Sequence, residues 1–112
     1  MGSLVQNEAV TASNPQVFFV LQIDGKNTDV LTLSRRVRLI NANGTFTTTI
    51  ADTALNITDA PTGTRIAKGV YHANFTATSY TLGTYDITWT YTYTGSATLT
   101  ATQRFEVLDP AL

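Results

Sequence analysis

The sequence predicts an all-β protein, a two-sheet antiparallel sandwich of seven or eight strands without a disulfide. Apolar and polar residues alternate over 83–93, which is the period of a strand. Of the 112 residues, 22 are threonine, whose β-branched side chain favours a pleated sheet. No segment has the period of an amphipathic helix, and the chain contains no cysteine. The length corresponds to a single domain, and a domain of this size can bury a hydrophobic core.

The stretch 83–93 is the predicted central strand. Its odd positions carry the apolar residues Tyr85, Ile87, Trp89, Tyr91 and Tyr93. Its even positions carry four threonines and Asp86, which we expect to face solvent.

Parity fixes how this strand pairs with the next. The inward residues after the turn are predicted to be Ala97, Leu99, Ala101, Phe105 and Val107. Like the apolar residues of the central strand, they have odd residue numbers. Because directly opposed residues face the same side of a sheet, the residue numbers of each opposed pair must add up to an even number. A three-residue loop at 94–96 satisfies this condition and pairs Tyr91 with Leu99, Trp89 with Ala101 and Tyr85 with Phe105.

The preceding chain divides into short strands. The apolar run 17–23 predicts a buried strand that ends at the Asp24-Gly25 turn. Two short strands are predicted at 30–33 and 36–42, and Asn41 to Gly44 is the strongest tight-turn signal. A strand over 45–51 should place Phe46, Thr48 and Ile50 on one face.

Residues 52–65 read as an irregular connection, with one short strand possible near 55–57. A strand over 69–77 follows, with Tyr71 and Phe75 inward. The predicted structural core therefore comprises Tyr71, Phe75, Tyr85, Ile87, Trp89, Tyr91, Leu99 and Phe105.

Three regions are predicted: an extended N-terminal arm at 1–16, the sandwich at 17–109 and a short tail at 110–112. The arm contains small polar residues, one charge at Glu8 and Asn14-Pro15, which favours extended geometry. It is either a frayed terminus or an arm that pairs with the sheet edge of a neighbouring subunit. In the second case Leu4, Val5 and Val10 are the candidate partner-binding residues, and the protein is a homo-oligomer.

Composition excludes several classes of function. Charged residues make up only 13% and the net charge is −1, so neither nucleic acid nor an anionic membrane is an expected partner. The start lacks the basic and apolar regions of a signal peptide, and no apolar run is long enough to span a membrane. No cysteine is available for thiol catalysis or thiolate metal sites.

The polar residues offer no clear catalytic set. His72, the one histidine, has polar parity and is predicted to lie on the surface. Asp24, Asn27 and Asp29 could supply oxygens to calcium, but turns are rich in these residue types and the spacing matches no calcium loop. We therefore expect no metal, no cofactor and no enzymatic activity.

A small basic cluster is formed by Arg35, Arg36 and Arg38, with Lys26 nearby. It is either a solvated strand face or a contact to an acidic partner surface.

The segment Gly83-Thr84-Tyr85-Asp86-Ile87 resembles the tyrosine corner of immunoglobulin-like domains. Tyr85 matches the corner tyrosine, whose hydroxyl bonds to the upstream backbone, and Ile87 occupies the position of the antibody cysteine. The resemblance implies an immunoglobulin-like topology without the disulfide, in which Trp89 and its neighbours supply the core.

The whole pattern from 17 to 108 resembles the immunoglobulin-like modules of tailed-bacteriophage virion proteins. The matching segments are 31–34, 37–45, 69–73, 83–89 and 105–107. They are similar to small head accessory or decoration proteins and to the N-terminal domain of baseplate upper proteins. This resemblance implies a structural virion component, most simply a capsid decoration protein that contacts the capsid through surfaces and strand edges. The alternatives are a tail, neck or baseplate module, or a module that binds carbohydrate or a host surface.

Overall fold

The computed structural model describes residues 3–5, 9–10, 17–60, 62–72, 75–76, 82–94 and 97–108. For 3–5, 9–10 and 75–76 the description covers the backbone alone. Within these ranges the chain is all-β and contains no helix. The strands are β1 (Ser3–Val5), β2 (Ala9–Val10), β3 (Phe18–Val20), β4 (Gln22–Ile23), β5 (Lys26–Asn27), β6 (Thr32–Ile40), β7 (Phe46–Ala54), β8 (Arg65–Ala67), β9 (Val70–His72), β10 (Phe75–Thr76), β11 (Gly83–Thr92) and β12 (Leu99–Leu108).

The large sheet has the order β1-β12-β11-β6-β7, and β11 is its central strand. Adjacent strands in this sheet are antiparallel, except that β1 runs parallel to β12. A smaller sheet has the order β3-β9-β8, and β2 pairs with β10 while β4 pairs with β5. The prediction of an antiparallel all-β protein is confirmed in this form.

The predicted register of the last two strands is confirmed. Trp89 is opposite Ala101, Tyr91 is opposite Leu99 and Tyr85 is opposite Phe105. Parity excluded a slip of one residue, which would turn one strand's apolar face to water, and the three-residue loop at 94–96 selected this register among those that parity allows.

The core lies between the two sheets. From the large sheet, Val37, Tyr85, Ile87, Trp89 and Phe105 are among the buried side chains. From the small sheet, Val17, Phe19, Leu21 and Tyr71 pack against them. The Phe19 ring lies 5.7 Å from the Trp89 ring and 4.9 Å from the Tyr91 ring, and these contacts join the two layers.

Two tight turns form where the sequence predicted them. Asp24 and Gly25 both have positive φ (53° and 76°) between β4 and β5, as a two-residue hairpin turn requires. The Asn41 to Gly44 turn joins β6 to β7: Gly44 has φ 85° and its N–H donates to the Asn41 carbonyl at 3.0 Å.

Several strand boundaries differ from the prediction. The two short strands expected at 30–33 and 36–42 form one nine-residue strand, β6. No strand forms at 55–57, where the chain is described throughout. The run 17–23 alternates in burial, with Phe18 and Val20 exposed, because the small sheet covers the core with only one of its faces.

The face assignment of β7 was wrong. Val37 is opposite Ile50, whereas Arg38 is opposite Thr48, so Thr49 is an extra residue in the ladder. A bulge of this kind reverses the alternation. Phe46 and Thr48 consequently share a face with Arg38, and Ile50 lies on the core face with Val37.

The N-terminal segment pairs within its own chain. Ser3, Leu4 and Val5 are opposite Glu106, Val107 and Leu108, and Ala9–Val10 pairs with Phe75–Thr76. A frayed terminus is therefore wrong for these strands. The use of this arm by a neighbouring subunit remains a prediction, and the side chains of Leu4, Val5, Val10 and Phe75 lie outside the described residues.

Candidate functional site

The candidate interaction surface is the outer face of the large sheet. We define the outer face as the even-numbered positions of β6, β11 and β12, together with Phe46 and Thr48 of β7. Cross-strand pairs such as Asp86 with Arg38 and Arg104 place these positions on one side. The odd positions of the same strands face the core, where Val37, Ile87 and Trp89 are buried.

Hydroxyl groups cover one half of the outer face. Thr32 and Thr92 are hydrogen-bonded through their hydroxyls at 2.8 Å, and Thr88 and Thr102 at 3.2 Å. The central-strand threonines are only half-buried, as the predicted solvent-facing side requires. These cross-strand pairs stabilise the sheet while leaving oxygen atoms on its surface.

Asp86 departs from the prediction that its strand face is open to solvent. Its side chain is buried and accepts two hydrogen bonds from Arg38, from Nη2 at 3.0 Å and from Nε at 3.3 Å. The guanidinium carbon of Arg38 also lies 3.8 Å from the Phe46 ring centroid. One arginine thus neutralises a carboxylate and stacks on an aromatic ring.

The predicted basic cluster does not exist as a unit. Arg35 lies on the core face opposite Trp89 and is buried, while Arg36 and Arg38 point to the outer face. Lys26 lies on β5, in a different hairpin. The strand alternation separates residues that are adjacent in sequence, so only Arg36 and Arg38 share a surface.

The predicted core residues fall into three groups. Tyr71, Tyr85, Ile87, Trp89 and Phe105 are buried, and the Tyr85 and Phe105 rings stack at 5.5 Å. Tyr91 is half-buried against the core. Leu99 is 38% exposed, so its placement in the core was wrong. Leu99 is the first residue of β12, next to the β11–β12 hairpin.

A tyrosine-corner bond would join the Tyr85 hydroxyl to the backbone upstream of β11, where residues 77–81 lie outside the described residues, so this bond stays a prediction. Tyr85 itself is buried near the start of β11, which is the position the resemblance implies.

A polar cluster at one end of the sandwich was missed by the sequence analysis. Asp29 accepts hydrogen bonds from Arg65 Nε at 3.1 Å, the Gly69 N–H at 2.8 Å and the Tyr71 hydroxyl at 3.3 Å. Arg65 Nη1 also donates to Asp59 at 2.7 Å. The partners are far apart in sequence, so no local pattern signals them.

This cluster explains Asp29 without a metal. The hydrogen bond from Arg65 is the main reason that the pKa of Asp29 is lowered, and the Gly69 N–H contributes further. Burial raises the pKa of Tyr71, whose hydroxyl also accepts a hydrogen bond from the Val30 N–H at 3.1 Å. Among the described residues, no three His, Cys, Asp or Glu side chains form a group that could hold a metal ion.

His72 is buried, so the prediction of a surface histidine was wrong. As strand alternation predicts, the His72 side chain lies on the other face of β9 from that of Tyr71. It shares this face with Phe18, its partner on β3. Its relative exposure is nevertheless 0%, and neither ring nitrogen has a hydrogen-bond partner within the part of the chain that the structure describes. Alternation determines the face of a residue but not what packs on that face.

The stability of the protein should fall in mild acid because of His72. Burial lowers its pKa below 6.5, so between this value and the lowered pKa the unfolded chain binds more protons than the folded chain. The free energy of unfolding should therefore be constant above pH 7.5 and decrease below about pH 6.5, by at most about 1.4 kcal/mol per pH unit. Urea denaturation at several pH values between about 7.5 and 5.5 measures this change, because carboxylates titrate lower.

The matched control is His72→Leu, which should show a nearly flat profile across the same pH range. An equal acid sensitivity in the variant would assign the effect to another group.

The comparisons with known proteins identify no relative. No family model, no curated protein and no solved structure matches this chain. Within the described part of the chain, no helix is long and apolar enough to cross a membrane.

Proposed function

We propose that this chain is an immunoglobulin-like β-sandwich module that acts as a non-enzymatic structural protein. The strand order carries the proposal. Strands β12, β11, β6 and β7 form one sheet and β3, β9 and β8 the other, which matches the GFCC′ and BED sheets of variable-type immunoglobulin domains. Buried Tyr85 near the start of β11 fits the corner position of strand F.

Two departures from that family bear on stability. Isoleucine replaces the strand-F cysteine, and the tryptophan lies on strand F, whereas antibody domains carry it on strand C. Contacts such as Phe19 with Trp89 therefore link the sheets where antibodies use a covalent bond.

The arrangement of the polar groups favours a structural role. The carboxylates of Asp29 and Asp86 are engaged by Arg65 and Arg38, and these pairs hold strands together. His72 is buried, and among the described residues neither of its ring nitrogens has a hydrogen-bond partner. Surface complementarity is the mechanism that remains for such a module.

The proposed location is a phage virion, with capsid accessory or decoration protein as the leading role. The resemblance of segments 31–34, 37–45, 69–73, 83–89 and 105–107 to such modules supports it, together with the strand order. A tail, neck or baseplate module is the alternative within the same class.

Quantitative mass spectrometry on purified particles from the source tests this proposal. With the purified protein as standard, a decoration protein should be present in hundreds of copies that scale with the major shell protein. A few to a few dozen copies would place it in the tail, neck or baseplate. Its absence from the particles would overturn the virion role.

A module that binds carbohydrate or a host surface is the second candidate. The β11–β12 hairpin end favours it, because Tyr91 and Tyr93 are half-buried there while Leu31 and Leu99 are exposed. Aromatic and aliphatic side chains at one loop end are typical of ligand-binding ends of sandwiches. A glycan array probed with the purified protein tests this candidate.

A further inference from the structure

The outer face combines uncovered apolar side chains with unpaired charges. Phe46 is 47% exposed and Leu108 is 37% exposed, and both lie at the end of the sheet near the Asn41 to Gly44 turn. Half-buried Ile40 pairs with Phe46, and the guanidinium of Arg38 covers one side of the Phe46 ring. Protein–protein interfaces are enriched in aromatic residues and in arginine.

The charges of the outer face have both signs. The positive charges are those of Arg36, Arg38 and Arg104. The negative charges are those of Asp86 and Glu106 and, on the adjoining edge strand β7, Asp52, so the net charge is zero. Arg38 and Asp86 form an ion pair with each other, whereas Arg36, Arg104 and Glu106 form no ion pair within the described residues. The Nε atom of Arg36 is removed from solvent and has no hydrogen-bond acceptor among the residues that the structure describes.

A neutral surface with unpaired charges of both signs is complementary to itself. A two-fold axis can set an arginine of one copy against Glu106 of the other, which a strongly cationic or anionic face could not do. An acidic partner would meet three carboxylates on or beside this face, so charge favours a second copy over such a partner.

The size of the face fits a modest dimer. Four strands at about 4.8 Å spacing and nine residues at about 3.3 Å give roughly 19 Å by 30 Å, or roughly 600 Å² in projection. Accessible area exceeds projected area, and standard interfaces bury about 800 Å² per partner. The accessible area of the outer face is therefore comparable with the area that the smaller standard interfaces bury on each partner.

We infer that the outer face is a self-association surface, on which a second copy of this chain packs about a two-fold axis with Phe46, Ile40 and Leu108 at the contact. This route to an oligomer is separate from the N-terminal arm, which pairs within its own chain. It is also independent of the virion location, because it concerns the purified protein alone.

Sedimentation equilibrium from about 5 µM to about 500 µM tests this inference. The wild-type chain should show a monomer–dimer equilibrium with a Kd on the order of 10–100 µM. Phe46→Glu should raise the Kd at least tenfold, since it places a carboxylate in the apolar contact.

Leu31→Glu is the matched control, because it introduces the same charge at a side chain that is 55% exposed near the opposite end of the sheet. It should leave the Kd within about twofold, and near-UV circular dichroism of all variants should confirm native packing. A wild-type chain that stays monomeric at the highest concentration would overturn the inference. So would an equal weakening by Leu31→Glu, since the contact would then lie elsewhere or be non-specific.

Discussion

Replacing Trp89 by alanine should lower the free energy of unfolding by about 3–5 kcal/mol. The indole has no exposed surface, packs against Phe19 and donates a hydrogen bond from Nε1 to Gln103 Oε1 at 3.1 Å. The substitution leaves a cavity at the centre of the sandwich and an amide without its partner. Because stabilities of single domains are about 5–15 kcal/mol, this loss is a large share of the total. Urea denaturation followed by far-UV circular dichroism measures it.

Two controls separate cavity formation from other effects. Trp89→Phe keeps a ring beside Phe19 and should cost less than half as much. Thr90→Ala changes the neighbouring position on the outer face, where the side chain is only half-buried, and should cost about 0.5 kcal/mol. A loss below about 1 kcal/mol for Trp89→Ala would show that the indole is not a central core residue.

Replacing Gly69 by alanine should cost about 3–4 kcal/mol, for two reasons that add. Gly69 has φ 71°, a region that disfavours any side chain. A Cβ here would also lie 2.8 Å from the Thr28 nitrogen and 2.9 Å from the Leu21 oxygen, which are backbone atoms of the neighbouring hairpin. The resulting shift would disturb the hydrogen bonds from Leu21 N–H to the Gly69 carbonyl and from Gly69 N–H to Asp29.

Gly44→Ala is the matched control for the close contact. Gly44 has φ 85°, but a Cβ there meets no atom within 4 Å. Its substitution should therefore show only the conformational cost, about 1–2 kcal/mol. The difference between the two variants, measured as a shift in Tm and in the urea midpoint, isolates the contact with Thr28 and Leu21. Equal losses would indicate that the hairpin adjusts freely around Gly69.

The sequence determined the strand identity of the central elements and their register. The alternation through Tyr85, Ile87 and Trp89 has the period of a strand, and a helix would scatter the same side chains around its circumference. The parity of Ala101 and Phe105 excluded a slip of one residue, and the three-residue loop at 94–96 then selected one hairpin register. Asn-Gly and Asp-Gly specified turns because only such residues accept positive φ readily. These features depend on neighbours within a strand or across one hairpin, so local chemistry suffices to predict them.

Tertiary structure decided the environment of the polar residues. Arg35 and His72 are buried although one reads as a surface cation and the other as a solvent-facing ring, since burial depends on what packs over a face. Asp29 meets Arg65 and Asp86 meets Arg38 only after distant strands come together. The bulge at Thr49 in β7 placed Phe46 on the outer face, away from Ile50, and no periodic pattern encodes it. The pairing of two strands across one hairpin is local enough to follow from sequence, whereas the pairing of distant strands and the surface that results depend on all strands at once.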